Sequence, residues 1–184
     1  MKLFERLRRA MKPREQSPGN DHWPSIVFLL HKPHLPNAEE AVRLAQTAWG
    51  AVGPVELVGT VGPHSFAIRI DPLYFAIHAA HTRYEVELPQ ASEPVNQCWL
   101  QHTAWLSIDL PGKRTVELRA QQRLGSAYQT IMYFAFKYWS PNCLALYFPA
   151  EGTTVPNHGD LLQSIRWCKA NGMNLDFLRE NKTS

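Results

Sequence analysis

Two short apolar segments, far apart in the chain, constrain the fold more than any other feature. Residues 25–31 read SIVFLLH and residues 143–148 read CLALYF, with almost no polar alternation in either. An apolar run of this length, bounded by turn residues, predicts a strand that is buried on both faces. The chain therefore needs a sheet in which these two strands lie inside and other elements pack against them.

Three further segments have helical periodicity. Residues 37–50 begin at Asn37, a good N-cap, and Glu40 is placed to complete a capping box. The longest helix is predicted over residues 115–139, where apolar side chains recur every three or four positions, and a last helix over residues 160–171.

Short strands fill much of the remaining chain. Residues 55–61, 66–70 and 73–78 are separated by glycine and proline turns, which favours an antiparallel meander. Residues 100–110 alternate apolar and polar side chains and predict one more strand. The segments expected to be irregular are 79–98, with a short strand at 84–88 as an alternative, and 151–158.

This order of elements predicts an α+β fold, a two-layer sandwich of a mixed, mostly antiparallel sheet with helices mainly on one face. Consecutive hairpin strands and the lack of a G-x-G-x-x-G motif disfavour a dinucleotide-binding fold. A length of 184 residues leaves room for one domain. We expect a basic N-terminal segment and linker over 1–21, a single domain over 22–178 and a polar tail over 179–184.

The charge is divided unevenly between the N-terminus and the body. Residues 1–14 carry six basic side chains and one acidic one, whereas the rest of the chain has a small acidic excess. Because the body is not basic, we expect no nucleic-acid partner. Residues 1–12 also have helical periodicity with one basic face. This segment is predicted to contact an anionic membrane surface or a partner; the alternatives are a terminal helix docked on the chain itself or a floppy tail.

Composition and cysteine use favour a cytoplasmic protein. The longest apolar runs are far shorter than the 18 residues of a membrane-spanning helix, and the first residues do not resemble a secretory signal. Three scattered cysteines, with no C-x-x-C pair, are not typical of a disulfide framework.

Motifs of the common enzyme classes are missing. The sequence has no phosphate-binding loop, G-x-S-x-G elbow, H-E-x-x-H or C-x-x-C motif. Histidines remain, and the clearest local pattern is His78-Ala-Ala-His81, with Glu85 nearby. These three side chains would chelate a metal ion if the segment formed a helical turn. The alternative is that His78 ends a strand and His81 lies in a surface loop. The sequence predicts no cofactor.

A second group of polar residues flanks the two apolar segments. His31 follows the first, while Glu151 and His158 follow the second. If both strands ended at the same edge of the sheet, these side chains would form a cleft in which a histidine and a carboxylate exchange protons. The alternative is that they are polar loop residues without a shared role.

Aromatic residues offer a candidate partner-binding surface. Trp105 lies on the parity opposite to the apolar positions of its predicted strand, and Trp99 and Tyr84 lie nearby in the chain. Exposed Trp and Tyr side chains often anchor protein partners. The alternative is a second core layer on that face of the sheet. His102 shares the apolar parity, so we expect it to be semi-buried and hydrogen-bonded.

The HTAWLSI segment at 102–108 and the polar loop before it resemble a bacterial domain family of unknown function. The early VFLL strand, the long helix and the second buried strand are similar as well, so the resemblance covers residues 25–178. It carries no catalytic motif and transfers no functional residue. Similar small α+β domains include toxin-immunity proteins, so the resemblance implies a role in protein recognition.

These observations favour a non-enzymatic, cytoplasmic protein-interaction module, such as an immunity or adaptor protein. One alternative is a histidine-dependent or metal-assisted hydrolase that uses the histidines described above. The other is a peripheral membrane protein that attaches through residues 1–14.

Overall fold

The computed structural model describes residues 24–51, 53–71, 73–86, 92–110 and 124–178. The predicted N-terminal segment, the linker, the C-terminal tail and the first part of the predicted long helix lie outside the described residues. In chain order the elements are β1 (Ser25–Leu30), α1 (Ala38–Trp49), β2 (Val55–Gly62), β3 (Ser65–Ile70), β4 (Leu73–Ala80), α2 (Glu93–Gln101), β5 (Ala104–Asp109), α3 (Leu124–Tyr138), β6 (Cys143–Phe148), β7 (Thr153–Pro156), α4 (Leu161–Ala170) and a 3-10 turn (Asp176–Leu178).

The seven strands form one sheet in the order β2-β3-β4-β5-β1-β6-β7. Each of the six pairings is antiparallel, so the described sheet is more uniform than the predicted mixed one. The two apolar segments are neighbours, and all six residues of β1 are buried. The α+β fold predicted from the sequence is confirmed.

Three of the four helices among the described residues cover the same face of the sheet, here called the helical face. Alternate residues of β1 (Ile26, Phe28 and Leu30) point to this face and join its core. Helices α1 and α3 pack on each other, and Trp49 of α1 lies 4.5 Å from the Phe75 ring and 5.3 Å from the Phe134 ring. This face therefore holds the larger of the two cores.

Helix α1 begins where its capping residue predicts. The Asn37 side-chain oxygen accepts a hydrogen bond from the backbone N–H of Glu40 at 2.9 Å. That bond satisfies one of the N–H groups that the first turn leaves without a partner inside the helix. Asp160 caps α4 in the same way, through the N–H of Gln163 at 2.7 Å.

Helix α2 replaces a segment that the sequence predicts to be irregular. It covers the second face of the sheet, with Val95 and Trp99 buried beneath it at a spacing of four residues. Pro94 suggests a turn in the sequence, but proline is well tolerated in the first turn of a helix. Because α2 extends to Gln101, strand β5 begins only at Ala104.

Strand β7 is the second element that the sequence does not predict. Residues Thr153–Pro156 pair with β6 and form one edge of the sheet. Pro156 is its last residue, and an edge strand tolerates proline because one side of its backbone has no strand partner.

Candidate functional site

The second face of the sheet carries an aromatic cluster, formed by Tyr84, Trp99, Trp105 and Tyr147. The Tyr84 ring lies 5.2 Å from the Trp105 ring, and the Trp99 ring lies 5.0 Å from the Tyr147 ring, both edge to face. Trp99 is 7% exposed and Trp105 9%. The structure therefore has the second core layer on this face rather than the exposed anchors, and little side-chain surface of either tryptophan is open to a partner.

His102 joins α2 to β5 beside this cluster, and it is buried and hydrogen-bonded as predicted. Its Nδ1 lies 2.7 Å from the carbonyl oxygen of Trp99, and its Nε2 accepts a hydrogen bond from the backbone N–H of Tyr84 at 2.9 Å. Because a carbonyl only accepts, Nδ1 carries the proton and the ring is neutral. Burial also lowers the pKa of His102, which favours the same neutral form of the ring.

Next to the aromatic cluster lies a polar row formed by Ser65, His78, Ser107 and Asp109. Three adjacent strands supply it, because Ser65 is the register partner of His78 and His78 is the register partner of Ser107. The Ser65 hydroxyl is hydrogen-bonded to Nδ1 of His78, and the Ser107 hydroxyl donates to a carboxylate oxygen of Asp109 at 3.0 Å. The centre of the Trp105 ring lies 5.1 Å from that of the His78 ring, so Trp105 borders the row on one side.

The polar row has the residue types of acid–base chemistry. Burial lowers the pKa of His78, so its neutral form prevails near pH 7. In the tautomer whose Nδ1 accepts from the Ser65 hydroxyl, His78 has the arrangement by which a base activates a nucleophile. Burial and, to a smaller extent, the charge of Asp109 raise the pKa of Tyr84 to about 12, so the tyrosine stays protonated beside the row.

Sequence reasoning identified only His78 in this row. Ser65, Ser107 and Asp109 lie 13 to 31 positions away in sequence and meet His78 only through strand pairing. The signal that could have found Ser65 is the tight turn after Ile70, since the pairing of Ile70 with Leu73 sets Ser65 opposite His78.

The predicted metal ligands do not come together. His78 lies in strand β4, which ends at Ala80, and His81 lies in the bend that follows, so the two histidines do not share a helical turn. The His78 ring turns to Ser65, whereas the His81 ring lies 5.6 Å from that of His64. Glu85 is exposed in the segment after β4. Among the described residues, no group of three or more His, Cys, Asp or Glu side chains could hold a metal ion.

The cleft predicted around His31, Glu151 and His158 is not formed. Strand β6 runs antiparallel to β1, so His31 lies beside the start of β6 while Glu151 follows its end, about 17–20 Å along the strand. His158 is at the same end of β6 as His31, but its ring stacks on Trp167 at 4.2 Å. The prediction assumed strands that end at one edge, as in parallel sheets.

The membrane hypothesis depends on residues 1–14, which lie outside the described part of the chain. None of the helices in the described part is both long enough and apolar enough to cross a membrane.

Comparison of the chain with protein-family models, with curated proteins and with solved structures finds no match. The functional proposals below are therefore argued from the chain's own residues.

Proposed function

We propose that this protein is a non-enzymatic interaction module that binds another protein through helix α3. The observation that carries the proposal is a pair of exposed aromatic side chains, Tyr133 and Phe136, which are 55% and 43% exposed. Residues three apart on a helix lie side by side on one face. Isolated apolar residues are common on protein surfaces, but two adjacent aromatic rings are typical of the anchors of an interface.

The inner side of α3 holds this surface in place. Ile131, Phe134 and Ala135 are fully buried against the sheet and α1, so the helix cannot rotate to hide its outer rings. The outer side of α1 is polar, and Lys137 is exposed on α3 itself. An aromatic centre with a polar surround is the usual composition of a protein–protein interface. The partner that fits is a protein with an apolar pocket for two rings.

An immunity or adaptor role is the finer form of this proposal. Both kinds of protein act by covering a surface of another protein, and neither needs a catalytic centre. The buried state of Trp99 and Trp105 supports placing the contact surface on α3 rather than on the second face of the sheet.

The test is a pull-down with the full chain as bait, followed by reconstitution of the complex from purified components. The variant Tyr133→Ser/Phe136→Ser should lose the partner, because it removes both anchors. The variant Leu100→Ser/Leu162→Ser is the matched control, since it removes two equally exposed apolar side chains from α2 and α4. Loss of the partner with both variants, or with neither, would contradict the proposal.

A histidine-dependent hydrolase is the second candidate, favoured by the hydrogen bond between Ser65 and His78. In such an enzyme the serine oxygen attacks an ester carbonyl while its proton passes to the histidine, which then protonates the leaving alcohol. Water hydrolyses the acyl-serine in the second half of the reaction.

A fluorophosphonate probe tests this candidate, because it forms a bond to an activated serine and releases fluoride. Labelling should occur at Ser65 and be lost in Ser65→Ala and His78→Ala. The control Ser92→Ala removes an exposed hydroxyl and should label normally. An unlabelled wild-type chain would exclude an activated Ser65.

A further inference from the structure

We propose that His64 and His81 together bind a divalent d-block cation such as Zn²⁺, at the end of the sheet where β3 begins and β4 ends. Their ring centres are 5.6 Å apart, with the ring planes inclined at 68°. This site is separate from the polar row and from the α3 surface, and it involves only one of the histidines that the sequence predicts to chelate.

The hairpin of β3 and β4 brings the two histidines together. The register pairs Ser65 with His78, and the next step along the ladder joins the N–H of Ala79 to the carbonyl of His64 at 2.9 Å. His81 is two residues beyond Ala79, so it is the diagonal neighbour of His64 across the hairpin and lies on the same side. His64 is the turn residue just before β3 and His81 is the residue just after β4, so both lie at the end of this ladder.

The His64 ring is oriented as a metal ligand. Its Nδ1 lies 3.0 Å from the carbonyl oxygen of Pro36, in the segment that precedes α1. Because that oxygen only accepts, Nδ1 carries a proton, which leaves Nε2 on the other side of the ring as the nitrogen that can bind an ion. Ligating histidines in proteins usually donate their second ring N–H to a carbonyl or carboxylate in this way, which fixes the tautomer and the ring direction.

The spacing of the rings matches a shared ion. With Zn–N bonds of roughly 2.0–2.1 Å and near-tetrahedral angles, two imidazoles on one zinc have ring centres about 5–6 Å apart. His81 is exposed, so an ion reaches the pair from solvent. Imidazole nitrogen suits zinc, copper and nickel, whereas Mg²⁺ and Ca²⁺ prefer oxygen ligands. Water completes the coordination shell of such an open site.

Calorimetric titration of the untagged full chain with Zn²⁺ tests the site. We expect one ion per chain and no binding of Mg²⁺. His64→Ala and His81→Ala should each weaken zinc binding by more than the roughly 10- to 100-fold that loss of a ligand-orienting group costs. The double variant should bind zinc no more weakly than either single variant, because both histidines bind the same ion.

His158→Ala is the matched control, since it removes a histidine whose ring stacks on Trp167 instead. Its zinc affinity should equal that of the wild type. Circular dichroism establishes that each variant is folded, and if His64→Ala unfolds, the exposed His81→Ala alone decides the matter. No zinc binding by the wild type, unchanged affinity in His81→Ala, or an equal loss in His158→Ala would each overturn the proposal.

Discussion

The two faces of the sheet differ in composition and in what they can do. The core of the helical face is almost wholly apolar, and in it the Trp49 ring of α1 packs against the rings of Phe75 in β4 and Phe134 in α3. The second face has a smaller apolar core under the short helix α2, and next to it the polar row around His78. The core of one face is apolar, while the other face combines apolar packing with hydrogen-bonded polar side chains.

The displaced groups differ in kind between the two faces. Among the described histidines, those whose pKa burial lowers are His78 and His102, which lie on or beside the second face, whereas on the helical face burial raises the pKa of Tyr138, Cys143 and Cys168. Perturbed pKa values concentrate at functional sites, although structural networks perturb them as well. Measurements that separate the two faces are therefore the most informative ones.

The largest expected effect comes from removing one tryptophan on each face. Trp49→Ala should lower the free energy of unfolding by about 3–5 kcal/mol, because Trp49 is fully buried between two other rings. Trp99→Ala should cost less, about 2–3 kcal/mol, because Trp99 belongs to the smaller core and the short helix that carries it can settle into the space. Urea denaturation gives both values.

Hydrogen exchange then shows where each change acts. Trp99→Ala should speed exchange in α2 while the amides of β1 stay protected, whereas Trp49→Ala should raise exchange throughout the sheet. Equal losses of stability with equal patterns of exchange would mean that the two faces form one cooperative core and do not differ in stability.

A smaller effect, confined to the second face, is expected from acid. Burial lowers the pKa of His102 below its usual value of 6.5, so the unfolded chain binds the proton more readily than the folded one. The stability that His102 contributes is therefore fully present above pH 6.5 and is lost as the pH falls toward its folded-state pKa. The slope from one histidine is at most about 1.4 kcal/mol per pH unit.

Urea midpoints measured between pH 7.5 and 5.5 test this expectation. His102→Gln should be less stable at pH 7.5 but should have a flatter dependence on pH than the wild type. His158→Gln, at an exposed position, should keep the wild-type dependence. An unchanged slope in His102→Gln would show that another group carries the acid sensitivity.

Most of the fold follows from local patterns in the sequence. Strand β1 has an uninterrupted apolar run, and helix α1 has both a capping residue and a wide apolar stripe, so each is recognisable without its neighbours. Helix α2 and strand β7 are short, and each contains a proline that suggests a turn. Their structure depends on what they pack against, which no local pattern records.

The candidate sites depend on strand register, and this explains why sequence reasoning found so little of them. The predicted chelation by His78 and His81 assumed a helical turn. Both residues instead lie at the end of a hairpin, where β4 finishes. The partners of these histidines are Ser65 and His64, on the opposite strand. Counting outward from the turn after Ile70 sets Ser65 opposite His78 and His64 opposite Ala79, two residues before His81, so the register of this hairpin was the signal to use.

The smallest expected effect concerns the one hydrogen bond that ties α2 to the edge strand through the Trp99 ring. The Trp99 Nε1–H donates to the Thr154 hydroxyl at 3.1 Å, and Thr154 is buried. Thr154→Val keeps the shape of the side chain but leaves the indole N–H without this acceptor, so the free energy of unfolding should fall by about 1 kcal/mol. Adding Trp99→Phe removes the donor as well, and the double variant should be less destabilised than the sum of the single ones. Thr153→Val, at the less buried neighbouring position, should change stability by less than about 0.5 kcal/mol. Additive losses in the double variant would mean that the bond contributes nothing and that the Trp99 ring is held on the second face by apolar packing alone.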